Sequence, residues 1–274
     1  MISIITPAYN RARLIPRMIE SVLNQTLSEW ELLIMDDGST DDTAEVVQKF
    51  RDSRIKFFQS VNSGAADKRN KGVEKASGDF VVFLDSDDEV KIDWLENLWK
   101  EVKTHNGLVV SCGYNRIDTS KDSIKTILPK KLGGLFGDLE LNFLAGTLLM
   151  KKELFEEAGG YDPLLRAGQH TDLVIRLSKI FETKKIQVLT VHKALVNIYV
   201  HGEERIRHDH NALYLGSLRM FEKHRKIFCQ HPGEYYNYLS MAGVAGIRTQ
   251  RISCLLYTSP SPRDRTRYRM PSSA

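Results

Sequence analysis

For the first hundred residues, short apolar runs alternate with stretches in which apolar positions recur every three or four residues. Ile2–Thr6, Leu32–Met35, Ile55–Phe58 and Phe80–Leu84 are brief and rich in β-branched or aromatic types. Periodicity alone does not separate a buried strand from a buried helix, but shortness and flanking polar clusters favour strands covered on both faces. Between them, Leu14, Ile15, Met18, Ile19, Val22 and Leu23 mark one face of a helix. Ser39 with Asp42 reads as a capping-box start for a helix to about Phe50. The helical pattern of Ala65–Ala76 ends near Gly78, read as its C-cap, and Trp94, Leu95, Leu98, Trp99 and Val102 stripe the next helix. This alternation predicts an α/β fold, a mostly parallel sheet flanked by helices, joined by right-handed crossovers.

In such sheets ligands bind beyond the carboxyl ends of the strands, where strand order reverses. The polar clusters fall at those ends: Asn10 after the first strand, Asp36 and Asp37 after the second, Asp85, Asp87 and Asp88 after the fourth. Beyond Tyr114 the pattern loosens. Residues 115–135 read as a variable loop, Leu144–Met150 as a strand, and Lys151–Ala158 as a short helix stopped by Gly159-Gly160. Asp172–Phe181 is amphipathic. Gln187–Val191 and Ala194–Tyr199 suggest a closing hairpin-like pair, His201–His210 is a polar stretch, and Leu213–Phe228 reads as the final helix.

Composition changes this picture little. At 274 residues, 42% hydrophobic and 27% charged, the chain reads as one soluble globular domain. No apolar run approaches a bilayer span, and Met1 leads straight into a strand rather than a secretory leader. Cys112, Cys229 and Cys254 are read as unpaired thiols of a reducing compartment. The net charge of +4 is misleading: Arg248 to Ala274 hold six Arg and one Asp, so this tail carries +5 and residues 1–247 carry −1. A nucleic-acid partner is therefore not expected. The tail turns abruptly to Ser, Pro and Arg and reads as a non-native scar, the alternative being a disordered basic arm.

Three carboxylates within four residues at Asp85–Asp88 repel one another unless something positive sits between them. Hard cations take oxygen ligands and commonly share carboxylates with a substrate's phosphates. Taken alone, the turn reads first as an acidic solvated loop, and the chain before it shifts that reading. Neither GxGxxG nor GxxxxGK[ST] occurs, so a phosphate-bearing ligand would be held through a metal instead of a glycine loop.

The strings ITPAYNR, DDGSTDDT, NSGAADKRNKG, ASGDFVVFLDSDD and GGYDPLLRAGQHTDLVIRL occur in the order seen in family 2 glycosyltransferases of the GT-A fold, and the chain resembles that family over roughly residues 1–200. The resemblance implies one GT-A domain over 1–247, with a nucleotide-binding half (1–110), an acceptor half (111–210) and a helical segment (211–247), ahead of the tail 248–274. It implies inverting transfer of a sugar from a nucleotide-diphosphate sugar, UDP favoured, to an acceptor hydroxyl, assisted by Mg²⁺ or Mn²⁺. Pro7, Ala8 and Tyr9 match the loop that cups the base, Asp37 the carboxylate that reads it with Asp36 beside it, and Arg69 or Lys68 a basic position near the phosphates. Asp85 matches the first acid of the DXD motif, Asp87 the metal-holding second, and His201 a possible completion of the metal shell from a late loop that also holds Arg205 and His208.

One departure stands out. Where many members carry Glu-Asp before the DLxxRL helix, this chain has Gln169 and His170, so the general base is either His170 or Asp172. The family-level expectation is a cytoplasmic enzyme at the inner face of the membrane, building cell-surface polysaccharide on a glycan or lipid-linked acceptor. The alternatives are a nucleotide-sugar-binding module lacking the base, or a nucleotidyltransferase or phosphatase using the same acid pair.

Overall fold

The computed structural model describes residues 1–200 and 209–249. Four apolar runs form the expected strands: β1 (Ile2–Ala8), β2 (Trp30–Asp36), β3 (Ile55–Gln59) and β4 (Phe80–Phe83). All four run parallel, in the order β3-β2-β1-β4. The chain steps outward from β1 through β2 to β3, then returns to place β4 on the other side of β1. Strand order therefore reverses between β1 and β4, and the carboxyl ends there are Ala8 and the residues following Phe83.

Helices α1 (Ile15–Leu23), α2 (Thr43–Gln48) and α3 (Ala65–Lys75) connect these strands, and α4 (Trp94–His105) follows them. Ile15, Met18, Ile19 and Val22 of α1 pack with Trp94, Leu95 and Leu98 of α4 against one face of the sheet. Ala66 and Val73 of α3 cover the other face. Burying each large aliphatic side chain contributes roughly 1.5–3 kcal/mol, so the two apolar layers dominate the stability of the sheet.

Seven further strands follow: β5 (Glu89–Val90), β6 (Val109–Asp118), β7 (Ser123–Ile127), β8 (Lys130–Lys131), β9 (Glu140–Leu141), β10 (Leu148–Lys151) and β11 (Val188–Val200). The main sheet continues β4-β10-β6-β11-β5, with β7 on β6 and β8 paired to β9 separately. β10, β7 and β5 pair antiparallel to their neighbours, so the sheet is mixed, with its parallel half carrying the acid clusters. Helices α5 (Lys152–Glu157) and α6 (Gln169–Lys184) lie against the α3 face. The described residues fall into two compact units, 1–164 with 169–200 and 165–168 with 209–249. In the second, α7 (His210–Gln230) and α8 (Pro232–Arg248) form a helical pair, α7 opening on Asp209, whose Oδ1 accepts from the backbone N–H groups of Asn211 and Ala212.

Several expectations are corrected. Ser39 does not cap a helix: its hydroxyl is spent on Asp36, and α2 starts only at Thr43. Gly78 is no C-cap. Ala76 closes α3 in extended conformation, and Gly78 is needed because a Cβ there would lie 2.7 Å from Met1 O and from Ser3 Oγ. The stretch 115–135 is largely the β6–β7 hairpin, its polar alternation reflecting an exposed strand at the sheet's margin. The expected hairpin at 187–199 is one strand, β11, parallel to β6 and interrupted by an irregularity between Val191 and Val196. Leu213–Phe228 lies in a longer helix that α8 follows. Gly159 and Gly160 do end α5, both with positive φ (77° and 66°). No described helix is long and apolar enough to cross a membrane.

Candidate active site

The loops after β1 and β2 are tied into one wall. Asn10 takes a left-handed conformation (φ 52°); its N–H donates to Ser39 Oγ (2.9 Å) and its Oδ1 accepts from Thr40 N–H (2.8 Å). Arg11 N–H donates to Thr43 Oγ1 and Ala12 N–H to Asp41 Oδ2. Asn10 is thus neither a helix cap nor an isolated turn residue. Pro7 and Ala8 lie in β1, level with Met35 and Asp36 of β2, and Tyr9 stands 45% exposed at the rim.

Asp36 is fully buried and its carboxylate takes the Ser39 N–H and hydroxyl. Asp37 accepts the N–H groups of Ser63 (2.6 Å) and Gly64 (2.9 Å) and lies 3.1 Å from Lys68 Nζ. Lys68, also fully buried, donates to Ser60 Oγ, Val61 O and Ser63 Oγ. Asp37 and Lys68 therefore shape the 60–64 loop from within. Of the two basic candidates, Lys68 is absorbed in this loop and Arg69 turns to the acids.

Arg69 is 5% exposed, a charge almost removed from water, and such a charge needs partners. Its Nη2 donates to Asp85 Oδ1 at 2.7 Å and its Nη1 to Gln169 Oε1 at 2.9 Å, joining α3, the turn after β4 and the start of α6. Its Nε is a buried donor with no partner among the described residues. Burial works to raise the Asp85 carboxyl, yet Arg69 and then His170 hold it below the usual carboxylate range. The Asp85 side chain keeps 35% exposure, so a ligand can reach it.

Asp85, Asp87 and Asp88 each place a carboxylate oxygen within 4.8 Å of the others. An all-oxygen donor set of this kind fits a hard divalent cation such as Mg²⁺ or Mn²⁺, and fits softer metals poorly. The turn is held from outside as well. Asp88 N–H donates to Asp85 O, Asp88 Oδ1 accepts from Tyr199 N–H (3.2 Å), and the Arg17 guanidinium donates to the Asp87 carbonyl while lying 3.6 Å from the Tyr199 ring centroid. Arg17 and Tyr199 carried no signal in the sequence, since their partners lie 70 and 111 residues away.

His170 and Asp172, two residues apart, meet different fates. Asp172 is fully buried, and its Oδ2 takes both Nε and Nη2 of Arg176 one turn along α6. His170 is half-buried beside the Arg69–Asp85 pair, its Nδ1 3.0 Å from Tyr161 Oη. Burial first, and then Arg69, push its imidazole down to about 4, with Asp85 opposing, so it is neutral near pH 7. Tyr161 was visible only as part of GGYDP; burial raises its phenol well above its usual range. His201, with Arg205 and His208, lies outside the described residues.

The fold is of the GT-A type, similar to that of S. aureus TarS, solved in complex with UDP-GlcNAc (TM-score 0.69, 19% identity, 94% of this chain and 81% of that one). Residues 3–159 match the model of glycosyl transferase family 2, and the chain belongs to that family. An uncharacterized glycosyltransferase of Haemophilus influenzae is 34% identical over 200 residues, covering 71% of this chain and 77% of the relative. The Escherichia coli UDP-Glc:alpha-D-GlcNAc-diphosphoundecaprenol beta-1,3-glucosyltransferase WfgD is 39% identical over 133 residues, 48% of this chain and 53% of WfgD. The chain spans only part of several relatives, 26% of one from Rickettsia bellii and 58% of one from Streptococcus pneumoniae.

Proposed function

We propose that the protein transfers a sugar from a nucleotide-diphosphate sugar, UDP-linked in first place, to an acceptor hydroxyl with inversion. The observation that carries this is the buried Arg69 paired to Asp85 beside three clustered carboxylates, at the carboxyl ends of β1 and β4. The UDP preference and a glycan or lipid-linked acceptor are supported by the donor and acceptor in WfgD's name and the UDP-GlcNAc bound to TarS. The reading takes 1–247 as the GT-A domain, working in cell-surface polysaccharide synthesis at the cytoplasmic face of the membrane.

In this reading Pro7, Ala8 and Tyr9 flank the base, Asp36 and Asp37 fix the wall against which it lies, and Asp85 and Arg69 face the ribose and phosphates. Asp87, with His201 as a further proposed ligand, would hold the divalent cation. When bound, that cation neutralises charge developing on the departing diphosphate. The acceptor oxygen attacks the anomeric carbon from the far side, the carbon–oxygen bond to the diphosphate breaks with its electron pair, and the hydroxyl proton passes to a base. His170 is favoured over Asp172 for that role, because Asp172 is sealed against Arg176 while His170 is neutral and borders the site.

A second reading is a donor-binding module without transfer, favoured by the one observation that Gln169 and His170 replace the family's Glu-Asp. Release of UDP from UDP-sugars with Mn²⁺, with the anomeric configuration of any product read by NMR, separates the two. Metal-dependent turnover that Asp87→Ala abolishes supports the transferase. Tight UDP binding with no turnover for any donor supports the module.

A further inference from the structure

His170 has a partner that the family resemblance does not supply. Tyr161 Oη lies 3.0 Å from His170 Nδ1, and the two rings meet edge to face, centroids 5.4 Å apart. The phenol is fixed in place. Asn70, next to Arg69 on α3, clasps the Tyr161 backbone twice, Nδ2 donating to its O (2.9 Å) and Oδ1 accepting from its N–H (2.8 Å). The Tyr161 ring also packs against Phe83 and Phe155.

A neutral imidazole carries one N–H, and which nitrogen bears it is set by the bond the other makes. A hydroxyl can donate or accept, so geometry alone leaves two arrangements. Burial decides between them. Tyr161 is 2% exposed, and among the described residues its oxygen has no other protein hydrogen-bond partner. Were Nδ1–H the donor, the phenol hydrogen would be left buried and unpaired, which costs about 1–3 kcal/mol. The phenol therefore donates, Nδ1 accepts, and the ring proton sits on Nε2.

We propose that Tyr161 is a positioning residue that sets the tautomer of His170, holding it at rest as a hydrogen-bond donor through Nε2–H. This rests on the reading of His170 as a site residue and refines its role. With its lone pair on Nδ1 engaged, the resting imidazole offers substrate an N–H. To accept a proton at Nε2 it must first become the Nδ1–H tautomer: Nε2 releases its proton to water, Nδ1 takes one from water as the phenol swings away, and the phenol then accepts from Nδ1–H. No net proton moves in that exchange. Tyr161 thus selects between a donor and a base at position 170.

The test is long-range ¹H–¹⁵N correlation of the His170 ring in the ligand-free protein at pH 7, for wild type and Tyr161→Phe, with the amide spectrum reporting the fold. Phe preserves the packing against Phe83 and Phe155. The expected result is an unprotonated Nδ1 and protonated Nε2 in wild type, with Nδ1–H becoming populated in Tyr161→Phe. A wild-type ring protonated on Nδ1, or a signature unchanged by Tyr161→Phe, overturns the proposal. UDP binding with Mn²⁺ in Tyr161→Phe is expected within twofold of wild type, and a loss of binding with an unchanged tautomer would make Tyr161 a structural support only. Because the spectra need no turnover, a tautomer shift in a protein that transfers no sugar would leave this proposal standing while the transferase reading fell.

Discussion

His170 and Asp172, two residues apart on the same helix, carry opposite consequences. Asp172 and Arg176 form a pair one turn apart, with the carboxylate wholly buried and the guanidinium 19% exposed. Removing one partner of a buried pair costs about 3–5 kcal/mol. Arg176 is partly solvated and keeps its bond to the Ala158 carbonyl, so Asp172→Ala is expected near the lower end, about 3 kcal/mol. His170→Ala takes away the partner of the buried Tyr161 phenol and should cost about 1–3 kcal/mol. Urea unfolding of both variants measures this. Turnover per folded molecule should survive in Asp172→Ala and vanish in His170→Ala; the reverse would assign the base to Asp172. His170 also makes stability depend on pH. Its folded value near 4 lies below the ordinary 6.5, so the unfolded chain takes up its proton first. The contribution is full above pH 6.5 and is lost as pH falls toward 4. The urea midpoint of wild type should therefore drop more between pH 7 and pH 5 than that of His170→Gln, and parallel drops would deny the shift.

At the scale of elements, the site depends on how closely α3 and the strand after it approach β1. Gly78 lets the turn before β4 pass over the start of β1, where a Cβ would meet a backbone carbonyl at 2.7 Å. Gly78→Ala should cost about 1–3 kcal/mol through overpacking. At Gly159 a Cβ meets nothing within 4 Å, so Gly159→Ala carries only the strain of positive φ, about 1 kcal/mol. Thermal unfolding that ranks the two the other way would contradict the packing. Elements were legible where their signal is local. β2 and β4, buried throughout, follow from unbroken apolar runs, β1 and β3 from short β-branched and aromatic segments, and α1, α3 and α4 from 3.6-residue stripes. The start of α2, the β6–β7 hairpin and the continuous β11 were not, because each is decided by distant partners. Ser39 reads locally as a cap for its own helix, yet Asp36 and Asn10 take it.

For the whole molecule, the acid turn and its place at the switch point could be read from spacing, since topology alone brings the ends of β1 and β4 together. The joining of Arg69 to Gln169, 100 residues apart, and the support of the turn by Arg17 and Tyr199 could not. These long-range bonds help make three neighbouring carboxylates tolerable in one turn, and they leave the cluster short of positive charge until a cation arrives. The most direct test of this account is a thermal-shift series with UDP, GDP, dTDP, CDP and CMP, each with and without Mn²⁺, on wild type and Asp87→Ala. A ligand at a hundred times its Kd adds about 2.7 kcal/mol. The account predicts stabilisation of wild type by UDP that requires Mn²⁺ and is absent in Asp87→Ala. Stabilisation by none of the five, or an equal response in Asp87→Ala, would contradict it.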